Sequence, residues 1–82
     1  MVERFIRQSY PDFLPSILDV CTLNSVEKQV CMLLKLGISP TDIATVICKE
    51  KSSVAKIRKR LYSKAFNADG KASDWDDFIL SL

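Results

Sequence analysis

The stretch from Asn24 to Asp42, NSVEKQVCMLLKLGISPTD, most constrains the fold, because it holds a helix start, a helix stop and a second start in close succession. Asn24 is a capping residue. Glu27, three positions on, completes the spacing of a capping box that satisfies otherwise free amides. Val30, Cys31 and Leu34 follow at helical spacing and Leu33 widens the stripe, so the pattern predicts a helix over about 24–36. Gly37 suits the left-handed turn that ends such a helix, and Ile38 returns to the core. Ser39-Pro40-Thr41-Asp42 then starts again: a cap, a proline at the first position where no N–H is needed, and an acid at the third. Ile43, Ala44 and Ile47 are the buried face of a short helix over about 40–47.

These two helices need a third to bury against, and Lys49–Lys64, KEKSSVAKIRKRLYSK, provides it. At about 100° per residue, Val54, Ile57, Leu61 and Ala65 fall on one stripe, while Ser52, Lys56, Lys59 and Ser63 lie roughly opposite. Arg58 and Tyr62 occupy one flank, Arg60 and Lys64 the other. The segment holds seven Lys or Arg against one acid, Glu50, whereas residues 1–48 hold four against five and residues 65–82 one against four. The net charge of +2 therefore conceals one basic patch between two faintly acidic segments. A helix with an apolar back and a basic, small-side-chain front over about 51–65 has what nucleic-acid recognition needs. An ordinary amphipathic helix with a solvated cationic face would show the same pattern.

Outside this core the signals are weaker. VERFIRQSY reads as the end of an incoming helix, with Phe5 and Ile6 as its contacts. In PDFLPSILDVC, Pro11 and Pro15 cannot both sit inside one regular helix, so a helix over about 15–21 is expected, with Phe13, Leu14, Ile17 and Leu18 as its buried set. A start at Pro11 with a distortion at Pro15 is the alternative. FNADGKAS is a loop by composition. Ser73 with Asp76 has capping-box spacing for a last helix over about 74–82, whose stripe is Trp75, Phe78, Ile79 and Leu82. The expectation is an all-α fold: a three-helix, helix-turn-helix core at about 24–36, 40–47 and 51–65 with flanking N-terminal and C-terminal helices. Residues 1–22 lead in, 23–65 form the core unit, and 66–82 add the loop and last helix of one domain.

At this point Leu23-Asn24-x-x-Glu27-x-x-Val30-x-x-Leu33-Leu34-x-x-Gly37-Ile38-Ser39-x-x-Asp42-Ile43-Ala44 resembles the opening of the LuxR/GerE-type bacterial DNA-binding domain. Ser53-Val54 and the spacing from Leu61 to Lys64 continue the likeness, which covers about residues 23–65. The resemblance implies the C-terminal domain of a larger bacterial transcription regulator that binds double-stranded DNA as a homodimer. It places base reading on Ala55, Lys56 and Lys59, and phosphate contacts on Lys51, Ser52, Ser53 and Thr41. The sequence departs from the family at Lys49-Glu50, where an apolar residue and a serine are usual, at Ala55, where a cation is common, and at Ala65-Phe66, where Leu-Gly is usual. Arg58, Arg60 and Lys64 extend the basic face, with Arg58 and Arg60 better suited to phosphate clamps or intramolecular ion pairs than to reading guanine.

Two other readings stay open: a helical interaction module that docks RNA polymerase or an acidic partner through the same face, and a domain like region 4 of bacterial sigma factors. An enzyme is not expected. There is no histidine, no Gly-rich phosphate loop, and no base near Cys21, Cys31 or Cys48 in sequence. The three cysteines match neither a disulfide framework nor a metal pair, so neither a metal nor another cofactor is expected. No apolar run approaches the roughly 18 residues of a membrane span, and MVERFIRQ lacks a signal-peptide core, so a cytoplasmic location is expected.

Overall fold

The computed structural model describes residues 2–82. It is all-helical among those residues: α1 Val2–Ser9, α2 Phe13–Val20, α3 Ser25–Lys35, α4 Pro40–Val46, α5 Lys51–Phe66 and α6 Ala72–Ser81. The central element is α3, which packs against α1, α4, α5 and α6. Its five consecutive residues from Val30 to Leu34 are all buried, as a helix covered on every side requires. In turn α4 and α6 pack along α5, and α2 packs on α1.

The start of α3 follows the expected chemistry. Asn24 N–H donates to Glu27 Oε1 at 2.9 Å, and Glu27 N–H donates to Asn24 Oδ1 at 2.8 Å. Two amides that the helix leaves unpaired are thereby satisfied, which accounts for a nearly buried carboxylate at Glu27. The end of α3 is a Schellman turn: Gly37 N–H donates to the Leu34 carbonyl and Ile38 N–H to the Leu33 carbonyl, with Gly37 at φ +81°. Ser39 caps α4, its hydroxyl accepting from Asp42 N–H at 3.3 Å. The end of α4 repeats the same turn. Cys48 N–H donates to the Thr45 carbonyl and Lys49 N–H to the Ala44 carbonyl, with Cys48 in the left-handed position at φ +58°. Four residues, 47–50, therefore carry the chain from α4 into α5.

The two ends of the chain differ from the sequence expectation. Helix α2 begins at Phe13, two residues before Pro15. Pro15 is the third helical residue, where the N–H has no intrahelical acceptor, and the first helical bond is made by Ser16 N–H to the Asp12 carbonyl at 3.0 Å. Leu18, expected inside, is 45% exposed, and Phe5 is 52% exposed; Ile6 of α1 is fully buried in the core. Helix α6 begins at Ala72 and is not capped by Ser73 and Asp76. Instead the Asp74 carboxylate accepts from Lys71 N–H at 2.8 Å. Asp76 is engaged elsewhere, as described below.

Three of the four residues expected on the α6 stripe pack within the chain, whereas Leu82, just past the end of the helix, stays exposed. Trp75 and Ile79 are fully buried, and Phe78 packs against them from the side. Trp75, Phe78, Phe66 and Tyr62 form a continuous aromatic row with neighbouring centroids 4.8–5.3 Å apart. The backbone of Gly70 lies directly on the Tyr62 ring, where a Cβ would stand 2.3 Å from two ring carbons.

Candidate functional site

Helix α5 presents two unlike faces. Val54 and Leu61 are fully buried and Arg58 is 8% exposed; Lys51, Ser52, Lys56, Lys59 and Arg60 are exposed. Ser53, Ala55 and Ser63 are half-buried at the margins. Lys56, Lys59, Arg60 and Ser63 line a shallow groove of about 350 Å³ on the outside of the helix. Among the described residues the ion pairs are Glu3–Arg7, Glu3–Lys28 and Arg58–Asp76, so Lys51, Lys56, Lys59 and Arg60 face solvent without a carboxylate partner.

Two residues of the sequence-level site are held by the fold instead. The guanidinium of Arg58 grips Asp76 with both arms, Nε donating to Oδ1 at 2.8 Å and Nη2 to Oδ2. Arg58 thus ties α5 to α6 and is not available to a ligand on the outer face. Lys64 Nζ donates to the Thr22 carbonyl and anchors the last turn of α5 to the loop before α3. Neither partner was legible in the sequence, since Thr22 and Asp76 lie 42 and 18 residues away from the cations they hold.

The start of α5 is open. Glu50 is its N-cap residue and makes no side-chain cap bond, and Val54 N–H makes the first helical bond, to the Glu50 carbonyl at 3.2 Å. The amides of Lys51, Ser52 and Ser53 therefore point out ahead of the helix with its positive dipole end. Thr41 is exposed on α4, where its carbonyl accepts from Thr45 Oγ1 at 3.3 Å. Ser52, Lys56, Lys59 and Ser63 thus form the outermost stripe of α5, with Lys51 and Arg60 on opposite flanks, Ser53 and Ala55 at the edges, and Thr41 on the neighbouring helix.

All three cysteines are free; Cys21 and Cys31 are buried and Cys48 is exposed. Burial pushes the Cys31 thiol up to about 12 and raises Cys21 as well. Trp75 stands beside the Cys31 side chain, and its buried indole N–H has no hydrogen-bond partner. A second concavity, of about 410 Å³, lies between α1, α3 and α4. It is lined by Lys28, Met32, Leu33 and the 60%-exposed Val46, with Glu3 already paired to Lys28 at its edge. Sequence reasoning did not single it out, because a lone exposed valine on a short helix carries no periodic signal. Among the described residues no helix is long and apolar enough to cross a membrane.

Comparison with protein-family models, with curated proteins and with solved structures returned no match.

Proposed function

We propose that this chain binds double-stranded DNA in a sequence-dependent way as part of a bacterial transcription regulator of the LuxR/GerE type, with α5 as the recognition helix and α4 bracing across the backbone. The observation that carries the reading is the pair Lys56 and Lys59 on the outermost stripe of α5, flanked by Lys51 and Arg60, all four exposed and without an ion pair among the described residues, on a helix whose Val54 and Leu61 are fully buried. The four-residue turn between α4 and α5 and the open start of α5 support it, since amides and hydroxyls at that end suit phosphate oxygens. Such a role places the chain in the cytoplasm. Trp75 and Ile79 are spent inside one chain, so on α6 and its end the homodimer that the resemblance implies is left with the exposed Leu80 and Leu82.

The test is fluorescence anisotropy of the chain with a random-sequence duplex across a salt series, for wild type and Lys56→Glu/Lys59→Glu. With Arg58 and Lys64 occupied, about four phosphates are neutralised, and log K should fall with log salt at a slope of about −4. The double variant should lose binding while keeping its helical circular dichroism. Absence of duplex binding at low salt in the folded wild type would defeat the reading and favour a docking surface for an acidic protein partner.

A further inference from the structure

The outer stripe of α5 can be divided into residues that would face the floor of a major groove and residues that would face its walls. Val54 and Leu61 mark the buried direction of the helix. Ser52, Lys56, Lys59 and Ser63 stand roughly opposite, and Arg60 lies to one side. A helix seated in a groove about 12 Å wide turns its outermost stripe to the base edges and its flanks to the phosphates. The fold removes the two competing cations: Arg58 is held by Asp76 and Lys64 by Thr22. The only acid of the basic segment, Glu50, is at the N-cap and off this stripe. What would reach the floor is two ammonium groups and two hydroxyls.

An ammonium group donates and cannot accept. Over cytosine it meets an amino donor, over adenine one acceptor beside an amino donor, and over thymine one acceptor beside a methyl group. Guanine alone presents two adjacent acceptors, N7 and O6. The serine hydroxyls donate or accept and impose no such choice. Lys56 and Lys59 are three residues apart, an axial rise of about 4.5 Å, against about 3.4 Å per base step.

Resting on the DNA-binding reading above and on the base-reading positions that the resemblance implies, we propose that the preferred duplex carries guanines on neighbouring or next-neighbouring base pairs beneath Lys56 and Lys59, selected by these two donor-only ammonium groups. Lys51 and Arg60 then serve the phosphates, and their removal weakens binding to every sequence alike.

The experiment compares three duplexes of equal length and charge by anisotropy: one with consecutive G·C pairs, one of A·T pairs only, and the first with 7-deazaguanine replacing guanine. The deaza base keeps the phosphates and the pairing but lacks the N7 acceptor. The G·C duplex should bind about tenfold tighter than the A·T duplex. The deaza duplex should lose severalfold of that advantage with no change in salt slope, since no phosphate contact is altered. Lys56→Gln/Lys59→Gln should bring the G·C and A·T affinities together, whereas Arg60→Gln should lower both and preserve their ratio. Equal binding of all three duplexes by wild type would overturn the guanine assignment while leaving DNA binding intact. Failure to bind any of them at low salt would overturn both.

Discussion

Arg58 and Lys59 are adjacent on one helix and carry the same charge, yet they belong to different parts of the molecule. Arg58 is on the inward side, 8% exposed and gripped by Asp76 of α6. Lys59 is on the outward side, exposed and in none of the ion pairs among the described residues. The contrast teaches that a basic segment is not one feature. A charge that is buried must be paired, because desolvation would otherwise oppose folding, and the paired charge then becomes a structural tie. A charge that is exposed contributes little to folding and stays free for a partner.

The largest effect should come from breaking the tie. Asp76→Ala leaves the Arg58 guanidinium buried without its partner and should cost about 2–3 kcal/mol in urea denaturation, somewhat under a fully buried pair because the Asp76 side chain retains 20% exposure. Replacing both members, Arg58→Met with Asp76→Leu, should recover most of that loss. A loss below about half a kcal/mol in the single variant would mean that α6 does not depend on the pair.

Next is the aromatic row that accompanies the tie. In Gly70→Ala the new methyl would stand 2.3 Å from two Tyr62 ring carbons, and displacing that ring should cost about 1–2 kcal/mol. Near-UV circular dichroism should change with it, since Tyr62 packs on Phe66 at 4.8 Å.

The two Schellman turns give a smaller effect of opposite signs. Gly37→Ala meets no neighbouring atom but places a Cβ at φ +81°, and should cost about 1 kcal/mol. Cys48→Gly relieves the same strain at φ +58° and should stabilise by up to about 1 kcal/mol. Thermal melts of the two variants moving in the same direction would contradict the identity of the turns.

Smaller still, Lys59→Gln should change stability by less than about 0.5 kcal/mol, although its duplex affinity should fall. Surface pairing is tested at Glu3, whose carboxyl is held below the ordinary 4.5 by its bond to Lys28 first and Arg7 second. A lowered folded pKa means that its contribution is present above the unfolded value and disappears as pH falls through the folded one. Melts of wild type and Glu3→Gln should therefore differ slightly at neutral pH and converge as the pH falls through the lowered pKa of Glu3.

Much of the middle of the chain was legible from local chemistry. Asn24 with Glu27, Gly37, and Ser39 with Pro40 act on amides and dihedrals within a few residues, so their patterns can be read without knowing what surrounds them. The helical spacing of Val54 and Leu61 likewise determined which side of α5 turns inward, and hence that Lys56 and Lys59 turn outward. The tertiary structure decided everything that depends on partners far along the chain. It assigned Arg58 to Asp76 and Lys64 to Thr22, moved the cap of α6 from Ser73 to Lys71 and its start from about 74 to Ala72, and spent Trp75 and Ile79 inside one chain. It also put a cysteine where a left-handed turn favours glycine, because the Schellman bonds and the packing of α4 on α5 hold Cys48 there. Capping and periodicity are short-range and additive, whereas the choice of partner for a buried charge depends on which helices the core brings together.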